Sequence, residues 1–154
     1  MHGVAPRNVL GASWWDATRR AAYRSTAFHC AACGVWKGAA EYHRWLEGHE
    51  LYEIDYPLGR MTYLETVPLC HFCHSYTHSG RLQALLERGE IHHAKYAAVM
   101  QHGDRVLTEA GLKFPAPYSG AVADWADWRL VLNGIEYPPK YPTFEDWRKE
   151  FDGA

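Results

Sequence analysis

The sequence predicts an α+β chain: a leading helix, a cysteine-rich knuckle, two strands running into a helix, then further helices, a hairpin and a closing helix. Three observations predict it. Cysteines come as two close pairs, Cys30/Cys33 and Cys70/Cys73, with 36 residues between Cys33 and Cys70. Between the pairs lie segments with strand character, the clearest alternating Met61, Tyr63, Glu65 and Val67 against Thr62, Leu64 and Thr66. Beyond Gly80, apolar residues recur at helical spacing until an Asn-Gly pair marks a hairpin.

Taken in order, Ser13 with Asp16 reads as a helix start, opening a helix from Trp14 to about Ala27 with Ala17, Ala21 and Ala22 as good helix formers. Trp14, Trp15 and Tyr23 anchor it, and Arg19, Arg20 and Arg24 fall within one and a half turns. Those arginines are either its solvated face or a grip on phosphates. Strands are expected over 45–54 and 61–67, joined by a turn at Tyr56-Pro57-Leu58-Gly59-Arg60. Pro68 closes the second strand, and the segment from about Cys70 to Gly80 begins as a knuckle and continues as a helix.

Leu82, Leu85 and Leu86 before Gly89, then Ile91, Ala94, Ala98, Val99, Val106, Leu107 and Ala110 before Gly111, give two more helices. His92 and His93 are not at ligand spacing and are expected in solvent. Phe114 to Gly120 reads as a linker or surface turn. Arg129–Leu132, Asn133-Gly134 and Ile135–Tyr137 form the hairpin, and Thr143 with Asp146 caps a short helix carrying Phe144, Trp147 and Phe151. Trp125, Trp128 and Trp147 make either a small satellite core or, because tryptophan is enriched at binding hot spots, a surface for a protein partner. The organisation expected is a module over residues 1–80 and, over 81–154, a helical extension followed by the hairpin and closing helix.

Four cysteines at this spacing match a tetrahedral site in which thiolates supply every ligand, as in structural zinc, the alternative being two disulfides. Met1 to Arg7 holds no apolar leader and no stretch is long enough to span a membrane. A reducing cytoplasm is therefore expected, where thiols bind metal more readily than they pair. Successive helical residues project about 100° apart, whereas residues four apart nearly coincide, so His74 and His78 share a face that Cys73 does not. Cys30, Cys33, Cys70 and Cys73 are accordingly assigned to zinc, and His49, His74 and His78 to a second, open site. Three imidazoles leave coordination positions for water and a phosphate oxygen. His71, inside the knuckle, is the alternative zinc ligand.

The run Leu46-Glu47-Gly48-His49-Glu50-Leu51-Tyr52-Glu53-Ile54-Asp55, followed by Leu69-Cys70-His71-Phe72-Cys73-His74-Ser75-Tyr76-Thr77-His78-Ser79-Gly80, resembles the zinc-stapled form of the HNH endonuclease motif. The resemblance covers about residues 13 to 80. It implies a ββα-metal core, cleavage of nucleic acid phosphodiesters with a second divalent ion (magnesium, manganese, nickel or zinc), DNA as the partner, and a gene of the kind many bacteriophages carry. By the same resemblance His49, His74 and His78 hold the catalytic ion, Glu50 stands where the general base is expected, and Arg19, Arg20 and Arg24 lie on a helix beside the site. Glu65 stands where the family's middle asparagine is expected.

With 47% hydrophobic and 14% aromatic residues in 154, the chain can bury a real core, and disorder is excluded over most of it. Its 16 Lys+Arg and 18 Asp+Glu give a net charge of −2, so nucleic-acid binding must come from a local patch. Two function classes remain. One is the metal-dependent nuclease; the other is a catalytically silent zinc scaffold that binds a protein, such as a host-defence complex or a packaging motor. No separate major-groove reader is evident.

Overall fold

The computed structural model describes residues 4–152, with side chains through residue 150, so the expected role of Phe151 lies outside the described residues. They form five helices and a four-stranded mixed sheet, an α+β arrangement as expected. The chain divides into two compact units, each discontinuous in sequence: one comprises residues 1–18, 50–66 and 118–154, the other residues 19–49 and 67–117.

Helix α1 spans Pro6–Ser25 and is interrupted at Gly11 (φ 84°, ψ 172°), a conformation that favours glycine. It begins ahead of the expected start at Ser13, because Pro6 suits a first helical turn where its missing N–H costs nothing. It ends before Ala27 because Ala27 and Phe28 take left-handed conformations, φ 50° and 61°.

Strands β1 (Glu47–Asp55) and β2 (Arg60–Leu69) are neighbours in the sheet, as their patterning predicts. In the turn between them the Leu58 N–H donates to Asp55 Oδ1 at 3.0 Å. Gly59 (φ 65°) lies so close to Trp128 that a Cβ there would fall 3.2 Å from its Cα. The hairpin of β3 (Arg129–Leu132) and β4 (Ile135–Tyr137) turns on Asn133 (φ 50°) and Gly134 (φ 80°), both positive as a type I′ turn demands. This hairpin extends the sheet: β3 runs parallel to β2, with Met61 opposite Leu130. Pattern alone could not reveal that pairing, because 59 residues separate β2 from β3 and register between distant strands is set by burial.

In the first unit Met61, Trp128, Leu130 and Leu132 are buried. Helix α5 (Phe144–Asp152) is capped as expected, with the Asp146 N–H donating to Thr143 Oγ1 at 3.1 Å. Trp125, Phe144 and Trp147 pack ring against ring, and Trp125 Nε1 donates to the Tyr141 carbonyl. Trp128 packs elsewhere, against Tyr56.

In the second unit, α2 (His71–Thr77), α3 (Ser79–Glu87) and α4 (His93–Glu109) follow β2. One cluster buries Cys30, Ala40, Leu46, Leu69, Cys70 and Cys73, and another buries Tyr76, Leu82 and Val99. Gly103, in the middle of α4, lets the Tyr76 ring close onto the helix backbone; a Cβ at 103 would fall 2.1 Å from that ring. The Tyr76 hydroxyl then donates to Asp104 Oδ1 at 2.7 Å. His92 and His93 are exposed, as expected. Among the described residues no helix is long and apolar enough to cross a membrane.

Candidate metal centres

The knuckle is built by backbone hydrogen bonds that fold the chain back on itself. Cys30 N–H donates to the Val35 carbonyl and Gly34 N–H to that of Cys30, both at 2.9 Å, with Gly34 in the left-handed region (φ 72°). Cys70 caps α2, its Sγ accepting from the Cys73 N–H. All four Sγ atoms lie within 4.8 Å of one another. Cys33 Sγ and Cys70 Sγ are 3.7 Å apart and all four cysteines are free, far from the roughly 2.05 Å of a disulfide. Tetrahedral ligands at about 2.3 Å from a central ion stand about 3.8 Å apart, so the spacing fits a metal and not a crosslink.

The thiols also push one another apart in acidity. The Cys33 thiol is pulled far down by hydrogen bonds from Cys30, Cys70 and Cys73, whereas that of Cys73 is pushed far up by Cys30, Cys33 and Cys70. Four sulfurs at this distance cannot all ionise without a cation among them. His102, on α4, adds to the centre from outside: its Nε2 lies 3.2 Å from Cys73 Sγ and 4.0 Å from Cys70 Sγ. Arg105 Nη2 sits 3.1 Å from His102 Nδ1. Arginine can only donate, so Nδ1 accepts and Nε2–H donates to sulfur.

The second cluster joins His49 from β1 with His74 of α2 and His78, the residue that ends α2. One ring nitrogen of each lies within 4.8 Å of the others. The ring centroids form a near-equilateral triangle, 5.3 Å from His49 to His74 and 4.9 Å along the other two sides. The expected continuous helix through His78 is corrected here: α2 stops at Thr77, and His78 (φ −106°, ψ 37°) bends the chain into α3. The three rings converge nonetheless. His49 Nδ1 is buried with no hydrogen-bond partner, a cost that coordination would remove. Burial, then the neighbouring His74, lowers the His49 pKa; desolvation, with His74 and His49 nearby, lowers that of His78 to about 4. Both shifts favour the neutral imidazole, the form that ligates.

Glu47 completes this centre and was not anticipated. His74 Nδ1 donates to Glu47 Oε2 at 2.5 Å and His71 Nδ1 to Oε1 at 2.9 Å. Burial alone would raise the Glu47 pKa, but hydrogen bonds from His71 and His74 hold it well below the usual carboxylate range. With Nδ1 fixed as donor, the His74 lone pair is on Nε2. A carboxylate behind a histidine is the usual means of fixing tautomer and ring orientation at a metal. The signal was present in sequence, since Glu47 stands two before His49 and residues two apart on a strand share a face. His43, Glu47 and His71 converge as well, within 4.8 Å. There the carboxylate is already engaged by two ring N–H groups, which makes His71 a partner of Glu47 and not of the cysteines.

The remaining site expectations fall elsewhere. Glu50 is not in the histidine cluster; its Oε1 is buried without a hydrogen bond, 3.8 Å from the Arg7 guanidinium, and its charge faces Tyr52 and Tyr63. Arg19 lines a cavity with Tyr23, Phe28, Lys37, Trp45 and Leu46, while Arg20 and Arg24 are exposed on α1. Glu65 is exposed on β2. No protein-family model, no curated protein and no solved structure matches the chain.

Proposed function

We propose that this chain is a metal-dependent endonuclease of the HNH type, a ββα-metal core stapled by zinc at Cys30, Cys33, Cys70 and Cys73, that hydrolyses phosphodiester bonds of DNA. The observation that carries the reading is the convergence of His49, His74 and His78 from a strand and the helix after the next strand, beside a tetrathiolate knuckle, with Glu47 fixing His74 from behind.

Three imidazoles would hold one divalent ion without cancelling its charge. When bound, that ion supplies Lewis-acid stabilisation to the phosphate oxygens as charge develops on the leaving oxygen. Glu47 keeps the His74 lone pair aimed into the triangle through the reaction. Glu50, next to His49 on β1, is the proposed base on its place in the motif alone; its Oε1 is buried with no hydrogen-bond partner, and it would have to be uncovered to receive a proton from the attacking water. Arg7 offsets its negative charge. Glu50→Ala is expected to leave metal binding at the histidines intact and to lower cleavage at least a hundredfold, in the range removal of a general base costs; full cleavage by that variant rules out the assignment.

The test of the reading is nicking of supercoiled plasmid by the zinc-loaded protein with magnesium, manganese, nickel or added zinc, beside His74→Ala shown to keep its cysteine-bound zinc. Cleavage by the parent alone supports it. No cleavage of plasmid or of single-stranded DNA with any ion overturns it and leaves the silent scaffold that binds a protein.

A further inference from the structure

The second unit displays a set of aromatic rings that its fold does not need for its core. Trp36 is 50% exposed, Tyr42 62%, Trp45 55% and Phe28 37%. Two of them sit on strained backbone: Phe28 at φ 61° and Tyr42 at φ 70°, a left-handed conformation sparsely populated by bulky residues. Phe28 is held there by its N–H donating to the Tyr23 carbonyl at 2.8 Å. The Trp36 ring lies on the backbone of Gly38, where a Cβ would fall 1.9 Å from it. The protein therefore fixes these rings in the open instead of burying them.

Positive charge is interleaved with them. Lys37 Nζ stands 4.3 Å over the Phe28 ring and Lys95 Nζ 3.8 Å over Tyr42. Arg19 and Lys37 share with Tyr23, Phe28, Trp45 and Leu46 a cavity of about 360 Å³. The patch also abuts the histidine centre. Trp45 stacks on His43 at 4.0 Å, Tyr42 stacks on His71 at 4.4 Å, and His71 and His74 share Glu47.

We propose that this face binds single-stranded nucleic acid, its bases stacking on Trp36, Tyr42, Trp45 and Phe28 and its phosphates meeting Lys37 and Arg19, so that an unpaired strand is led to the histidine centre. The proposal rests on the nuclease reading and narrows its substrate. Flat rings flanked by cations suit unpaired bases, whose faces are free; in a duplex those faces are taken up by neighbouring base pairs. The net charge of −2 offers a duplex no long-range attraction, so short-range stacking must supply the affinity. The cations select a polyanion over an apolar peptide.

Fluorescence anisotropy tests this with zinc-loaded full-length protein and no other added divalent ion. The probes are labelled oligo-dT and oligo-U of roughly twelve nucleotides, within the span of typical single-strand sites, and a hairpin duplex of similar length. Single strands are expected to bind more tightly than the duplex, and Trp45→Ala and Lys37→Ala to weaken them, the former roughly tenfold. Gly38→Ala, which displaces the Trp36 ring without removing it, should also weaken them. Zinc content and circular dichroism verify that each variant is folded. A preference between oligo-dT and oligo-U assigns the strand as DNA or RNA. Equal or tighter duplex binding, or unchanged binding in folded Trp45→Ala and Gly38→Ala, overturns the proposal; so does no binding to any probe, which leaves the surface to a protein. Because binding is read without cleavage, single-strand binding in a protein that cuts neither plasmid nor single-stranded DNA or RNA would sink the nuclease reading and spare the binding face.

Discussion

Replacing Glu47 with glutamine removes one charge and almost no volume, and the geometry says how far the effect should reach. The carboxylate accepts from two ring nitrogens, His71 Nδ1 at 2.9 Å and His74 Nδ1 at 2.5 Å, and its side chain is only 26% exposed. A glutamine has one acceptor oxygen, so one ring must face its NH2, donor against donor. If that ring is His74, it turns or changes tautomer and its Nε2 lone pair leaves the triangle. Losing such a supporting carboxylate weakens metal binding ten- to a hundredfold, roughly 1.4 to 2.7 kcal/mol. With one contact broken at a site of low exposure, Glu47→Gln is placed within that range when the ring left without an acceptor is His74. The assay is competition against a chromophoric chelator for nickel or manganese at neutral pH, with any ion held by the four cysteines counted separately. Affinity within about twofold of the parent, a few tenths of a kcal/mol, would refute the argument that Glu47 orients His74.

Three further outcomes are expected. Cys73→Ser should lose the knuckle's metal and with it several kcal/mol of stability, since binding energy at such sites is folding energy; zinc content and thermal melting check this. Gly103→Ala should destabilise by about 1–3 kcal/mol through overpacking against Tyr76, read by denaturant midpoint, with metal content unchanged. Burial, then the hydrogen bond to Asp104, pushes the Tyr76 pKa up to about 12 from an ordinary 10. The folded state thus keeps a proton the unfolded state releases, and stability should fall as pH rises from 10 towards 12. Tyr76→Phe should flatten that fall, as followed by circular dichroism.

Much of this was legible because it depends on local chemistry. The Asn133-Gly134 turn, the Thr143 cap, the helices before Gly89 and Gly111 and the two cysteine pairs each arise from a few neighbouring residues, and all appear as expected. His74 and His78 were expected together from helical spacing and His49 from the motif around it, and the three converge. What was missed depends on contact across the fold. His102 reaches Cys73 from a helix 29 residues further on, with nothing in its own surroundings to mark it. Glu47 was hidden by the attention its neighbours His49 and Glu50 draw, although strand alternation would have found it. The helix break at His78 has no glycine or proline to announce it; it is made where α2 gives way to α3. The parallel pairing of β3 with β2 belongs to the same class.

The central claim, two distinct metal centres of which one is open, is tested most directly by anomalous scattering from crystals soaked in manganese, with data at the zinc and manganese edges. The account predicts a zinc peak among Cys30, Cys33, Cys70 and Cys73 and a separate manganese peak within ligand distance of His49, His74 and His78. A zinc peak alone, with no density among the histidines at saturating manganese, would contradict it.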